Sequence, residues 1–152
     1  ARIYAQSNRL TYDEPIDVEV VTKRVGDLKQ LYTQHAGVRP FGVSIIFGGV
    51  DKMGNRLFAT HPSGSYRGYK AVAVGVGRDT VVEILKTDYK EDMKMDEAIK
   101  LAIKSLAKAL EARGQPPRVK VAIIPTETKT LKMLTDEEIE KYQRGLEGSG
   151  GS

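Results

Sequence analysis

Apolar positions between residues 17 and 32 recur at alternating steps of three and four. Val18, Val21, Val25, Leu28 and Tyr32 share one face, with Lys23, Arg24, Asp27 and Lys29 largely opposite. That period predicts an amphipathic helix, and Asp17 fits its N-cap. Gly37 ends the helix, and Arg39-Pro40 forces extended backbone. Upstream, residues 1–10 hold good helix formers without an N-terminal cap, which reads as the last turns of a helix whose beginning is absent. A turn at residues 11–15 follows.

The period then shortens. Residues 41–50 form a near-continuous apolar run with Gly42, Gly48 and Gly49, which predicts a strand buried on both faces. A turn at residues 51–55 leads to a second strand at residues 56–60. His61-Pro62-Ser63-Gly64 turns the chain again, and a third strand ends in Ala71-Val72-Ala73-Val74. Three sequential strands of this kind predict an antiparallel meander.

Helical spacing returns after residue 78. Residues 79–90 carry Val81, Ile84, Leu85 and Tyr89 on one side. Residues 96–112 carry Ile99, Ala102, Ile103, Leu106, Ala109 and Leu110, and the alanines on that face allow close approach to a neighbour. Gln115-Pro116-Pro117 breaks the chain before a fourth strand at residues 118–125. Thr135 with Glu138 forms a capping box, opening a last helix that runs to Arg144. Strands and helices are segregated along the chain, so the fold class is α+β rather than a doubly wound sheet. Four strands with long amphipathic helices call for a second sheet to pack against, and none is read from the sequence.

Composition narrows the chemistry. With 152 residues, 40% hydrophobic and 29% charged, the chain fits one globular domain rather than two or a disordered segment. It has no cysteine, which excludes disulfides, thiolate zinc sites and cysteine nucleophiles. The same absence fits a reducing cytoplasm. The formal charge of +4 is spread along the chain and mixed with acids, as on an ordinary soluble surface, so no nucleic-acid partner is expected. No apolar run approaches the roughly 20 residues that span a bilayer, so no membrane partner is expected either. Gly148-Ser149-Gly150-Gly151-Ser152 has the composition of a flexible engineered linker. Residues 1–147 are therefore read as the folded portion and 148–152 as linker.

Catalytic and ligand-binding patterns are sparse. No Gly-x-Ser-x-Gly occurs, and Ser44 sits within a strand pattern. His35 and His61 fall near turns without partners at metal-ligand spacing. Asp13, Asp17, Asp79, Asp96 and Asp136 stand at helix starts, where capping accounts for them. Gly75-Val76-Gly77-Arg78-Asp79-Thr80 lies where a phosphate cradle would, between strand and helix. Thr80 replaces the third glycine of a dinucleotide fingerprint and the parallel βαβ context is missing, so a tight turn is the better reading. Ile99, Ile103, Leu106 and Leu110 fit a partner-binding stripe, though a core face is the commoner answer. The residues predict no catalytic, cofactor or metal site.

Several segments, however, resemble proteasome α subunits. The first is Arg9-Leu10-Thr11-Tyr12-Asp13-Glu14-Pro15-Ile16. The second is Tyr32-Thr33-Gln34 followed by Gly37-Val38-Arg39-Pro40-Phe41-Gly42-Val43-Ser44. Gly49-Val50-Asp51, His61-Pro62-Ser63-Gly64 and Tyr69-Lys70-Ala71-Val72-Ala73-Val74-Gly75-Val76-Gly77-Arg78 follow in the family's order and spacing. His61 stands where the family usually has Asp.

The resemblance implies part of an Ntn-hydrolase-like αββα sandwich. It also implies a non-catalytic subunit of the seven-membered outer ring of an archaeal-type core particle. Such a ring limits substrate entry, contacts other α subunits and the β subunits, and docks activator ATPases for ATP-dependent protein degradation. Catalytic β subunits are implied to use an N-terminal threonine, with Gly-Ser-Gly and an Arg-Asp loop at positions that here read Gly75-Val76-Gly77 and Arg113-Gly114-Gln115-Pro116. The family's N-terminal half precedes the point where this chain starts. A split or circularly permuted form that pairs with a complementary N-terminal half is therefore expected, with residues 41–50 and 72–76 exposed in this chain alone. An engineered scaffold and a divergent Ntn hydrolase are the alternatives.

Overall fold

The computed structural model describes residues 16–34 and 44–147, which form two compact units. The expected helix end at residues 1–10, the turn at 11–15, His35, Gly37, Arg39-Pro40 and the tail 148–152 lie outside the described residues.

The first unit comprises described residues of Ala1–Lys70 with Thr126–Lys129. Helix α1 spans Val18–Gln34 and packs on an antiparallel sheet of β1 (Ile45–Asp51), β2 (Gly54–Thr60) and β3 (Tyr66–Gly68) in the order β1-β2-β3. The meander expected from the sequence is present. Register pairs Phe47 with Phe58 and Asp51 with Gly54, so the hairpin turns over Lys52 and Met53 alone. Gly54 has φ +103°, the left-handed backbone that a glycine enters without a Cβ penalty.

Side chains alternate across a strand, so one face of β1 carries Ile45, Phe47, Gly49 and Asp51. That face receives α1: a Cβ on Gly49 would stand 2.7 Å from Val18 Cγ2. From the helix side, Val21, Thr22 and Val25 are buried against the sheet, as are Phe58 and Thr60 of β2. Burying each such aliphatic side chain stabilises the unit by about 1.5–3 kcal/mol. The opposite face of β1 is open, with Ile46 40% exposed. The expectation of a strand covered on both faces is corrected for this unit, because α1 covers only one. Gly26 makes a further close approach, since a Cβ there would meet the Gly64 carbonyl oxygen at 2.5 Å.

The second unit comprises described residues of Ala71–Pro125 and Thr130–Ser152. It holds α2 (Arg78–Asp88), α3 (Met95–Ala112), β4 (Ala122–Ile123), β5 (Lys132–Met133) and α4 (Asp136–Glu147). Its core joins Ile99, Ile103 and Ile139, with Val119, Val121, Ile123, Leu134 and Tyr142 packed around them.

Helix α3 is buried on two rows. Ile99 and Ile103 belong to that core, whereas Leu101, Ser105 and Ala109 form a second buried row. Gly77, at the start of α2, approaches this second row, a Cβ there lying 3.5 Å from Ala109 Cβ. The single face expected from the sequence is thus corrected: Ala102 is exposed and Leu106 is 41% exposed. Both α2 and α4 pack on α3, so it needs two apolar stripes rather than one.

Two strand expectations also change. The fourth strand is a two-residue pairing of β4 with β5, a partner that two residues of mixed polarity do not announce. Val72, Ala73 and Val74 join no ladder, because the third strand stops at Gly68.

Candidate functional site

Asp51 is where sequence and geometry diverge most. Asp17 holds the N-cap position, its carbonyl accepting the Val21 N–H at 3.2 Å. Its carboxylate, however, lies 3.8 Å from Lys52 Nζ. The carboxylate that reaches the helix N-terminus is that of Asp51, at the end of β1. Its Oδ2 accepts the Val18 N–H at 3.1 Å and its Oδ1 accepts the Met53 N–H at 2.8 Å. One buried side chain therefore closes the hairpin and holds the first turn of α1, with its negative charge at the positive end of the helix dipole. The sequence pattern puts Asp51 in a turn and no more; a cap that arrives from residues far along the chain leaves no local signal.

Beside it, Glu19 accepts Arg56 Nη2 at 3.0 Å through Oε2 and the Tyr66 hydroxyl at 3.4 Å through Oε1. The Arg56 guanidinium also lies 5.1 Å from the Phe58 ring centroid, and Phe58 meets Tyr66 edge-to-face at 6.0 Å. Burial, then the negative charge and hydrogen bond of Glu19, raise the Tyr66 pKa above the ordinary tyrosine range. Arg56 is thus committed to a fixed acid and an aromatic face, which is a structural use of its charge.

The expected turn residues form a local hydrogen-bonded group. His61 Nδ1 lies 2.9 Å from Ser63 Oγ and accepts the Ser63 N–H at 3.2 Å, while Ser63 Oγ lies 3.3 Å from Ser65 Oγ. Backbone bonds from Gly64 N to His61 O and from His61 N to Ser65 O close the turn. This is a side chain stabilising its own turn. Ser44 is exposed just ahead of β1 rather than within it.

Gly75 and Gly77 have φ of +104° and +86°. Gly77 is the N-cap of α2 and the Gly75 carbonyl accepts the Arg78 N–H at 3.3 Å, so the loop is a turn into a helix. Asp79, Asp96 and Asp136 lie inside first helical turns rather than at caps, where Gly77, Lys94 and Thr135 stand. Their capping role is corrected to a dipole role. Thr135 does cap, its hydroxyl accepting the Glu138 N–H at 3.2 Å. At the C-terminal end of α3, Gly114 with φ +67° follows Arg113 and returns its N–H to the Glu111 carbonyl, so Arg113-Gly114-Gln115-Pro116 is a helix stop.

A groove of about 350 Å³ is lined by Asp96, Lys100, Glu138, Lys141, Tyr142 and Gly145. Within it the Tyr142 hydroxyl donates to Asp96 Oδ1 at 2.6 Å. That hydrogen bond, then burial, raise the Tyr142 pKa. The wall charges are mixed, Asp96 and Glu138 with Lys100 and Lys141. Among the described residues, no three His, Cys, Asp or Glu converge as metal ligands, and no helix is long and apolar enough to cross a membrane. The signature residues Tyr32 to Gln34 lie in the last turn of α1, and residues 35–43 lie outside the described part.

Fold and surface thus define a mixed α+β protein whose distinctive residues close turns, seat helices and stop them. Residues 1–124 match the family described as "Proteasome subunit". The chain belongs to the proteasome subunit family, and its relatives fall on the alpha side. It is 47% identical to the proteasome subunit alpha of Methanosarcina acetivorans, over 100% of this chain and 62% of the relative. With the proteasome subunit alpha of Methanothermobacter thermautotrophicus it shares 46% identity over 96% of this chain and 59% of the relative. With that of Pyrococcus horikoshii the identity is 48%, over 93% and 54%. The chain thus spans about three-fifths of the length of the first two of these relatives.

Proposed function

We propose that this chain is a non-catalytic wall piece of the outer α ring of a cytoplasmic proteasome core particle. The observation that carries the reading is the run of alpha-subunit relatives near 47% identity across nearly the whole chain. Where the resemblance implies a catalytic subunit's Gly-Ser-Gly and Arg-Asp loop, this chain reads Gly75-Val76-Gly77 at a helix start and Arg113-Gly114-Gln115-Pro116 at a helix stop. A β-type acyl-transfer site would need a hydroxyl and a carboxylate at those places.

In this role the chain contacts neighbouring α subunits in a seven-membered ring and β subunits beneath it. With them it narrows the substrate entrance and offers the surface on which an activator ATPase docks. Within the subunit it joins a complementary N-terminal half to complete an Ntn-hydrolase αββα sandwich. The test is peptidase activity of the chain with its complementary half, measured with and without β subunits of Methanosarcina acetivorans. Activity that appears only on adding them supports the reading; activity of the chain alone, blocked by a threonine- or serine-directed acylating agent, overturns it.

A further inference from the structure

The turn at residues 61–65 is held in part by a titratable side chain. His61 Nδ1 accepts the Ser63 N–H at 3.2 Å, and Ser63 Oγ lies 2.9 Å from the same nitrogen. A ring nitrogen that accepts an N–H carries no proton of its own. The ring proton therefore belongs on Nε2, and the Ser63 hydroxyl donates to Nδ1. Ser65 Oγ, 3.3 Å from Ser63 Oγ, is then placed to donate in turn. The same turn seats a helix. Gly64, next to Ser63, is buried in left-handed backbone at φ +95°. Its carbonyl oxygen would stand 2.5 Å from a Cβ on Gly26 of α1.

We propose that His61 is a proton-sensitive latch on this turn, which seats α1 fully only while the imidazole is neutral. Histidine is the side chain that ordinarily changes charge between about pH 5 and 8. A proton on Nδ1 makes the acceptor a donor, so the Ser63 N–H loses its partner and the Ser63 hydroxyl reverses to accept. The backbone bonds from Gly64 N to His61 O and from His61 N to Ser65 O gain no proton, so the turn loosens at Ser63 rather than opening. No other residue of 61–65 is ionisable. The described charged side chains on the elements around the turn are Glu19, Lys23, Arg24 and Asp27 of α1, Arg56 of β2 and Arg67 of β3. Glu19 binds Arg56, and Glu19 with Asp27 bears on Tyr66. These charges set the pH at which the ring takes its proton, whereas the latch depends on which ring nitrogen meets Ser63.

Nuclear magnetic resonance of the intact 152-residue chain between about pH 8 and 5 tests this. At the upper end the ring proton is expected on Nε2. As pH falls, the Ser63 and Gly26 amide resonances are expected to move with the midpoint of the His61 ring. Protons favour the state without the bond, so this stability is present at the higher pH and lost on acidification. In urea melts the folded-to-unfolded ratio should fall about two- to tenfold more for the parent chain than for His61→Asp. The carboxylate of that variant stays an acceptor across the window, since aspartate ordinarily titrates near about 3.9. A proton found on Nδ1 at the upper pH overturns the latch. So does a Ser63 or Gly26 amide that stays fixed while the ring titrates, or a His61→Asp variant that loses as much stability as the parent.

Discussion

Asp51 Oδ2 accepts the backbone N–H of Val18 at 3.1 Å, so the first turn of α1 is capped by a residue 33 positions along the chain. The same carboxylate holds the Met53 N–H. Removing it leaves two backbone donors without their acceptor in a largely buried place. Asp51→Ala is therefore expected to destabilise the first unit by about 1–3 kcal/mol. Asp17→Ala, which loses only a partly exposed ion pair at 3.8 Å, should cost less than about 1 kcal/mol. Denaturant melts of the two variants check the order, and a loss for Asp17→Ala as large as that for Asp51→Ala would contradict the assignment of the cap to Asp51.

The Gly26–Gly64 approach sets a second expectation. A methyl group on Gly26 would lie 2.5 Å from a backbone oxygen, which neither a rotamer change nor a flexible tip can relieve. Although alanine is the better helix former, Gly26→Ala should destabilise by about 1–3 kcal/mol through overpacking. A thermal melt showing a gain instead would mean that the turn at Gly64 yields freely.

Ile103 has no exposed surface and sits at the centre of the second unit's core. Ile103→Ala is expected to cost about 2–5 kcal/mol. Leu106→Ala, on the same helix but 41% exposed, should cost clearly less. Chemical denaturation followed by far-ultraviolet circular dichroism distinguishes them.

Tyr142 gives a pH signature. The hydrogen bond to Asp96 favours the neutral phenol, so its folded pKa is raised above the unfolded one. Its contribution to stability is therefore complete below the unfolded tyrosine range and is lost as pH rises through the folded pKa. Ultraviolet titration should show Tyr142 ionising late, and Asp96→Asn should bring it back toward about 10. An unchanged titration in that variant would remove Asp96 as the chief cause.

Helices are the legible part of this sequence, because α1, α2, α3 and α4 each carry a 3.6-residue apolar period with a polar remainder. Their packing is less legible. The periodicity of α3 reports that it has apolar stripes but not that α2 and α4 each claim one, so it points to Ala102 and Leu106 where the fold buries Leu101 and Ser105. Strands are hardest to read where pairing decides the outcome. Residues 71–74 have strand composition without a ladder, and Lys132–Met133 has a ladder without strand composition. Asp17 and Asp51 exchange roles for a related reason: a side chain folded in from afar outcompetes a neighbour, and spacing cannot register that. Family identity, by contrast, is carried by short motifs such as Gly49-Val50-Asp51, in which the structure shows a helix seat, a hairpin and a cap.

The proposed role is assembly into an α ring without catalysis. Negative-stain electron microscopy of the chain purified with its complementary half and Methanosarcina acetivorans β subunits tests it most directly. Seven-fold rings stacked on β rings are the predicted result. A monomeric particle that hydrolyses peptides on its own would contradict it.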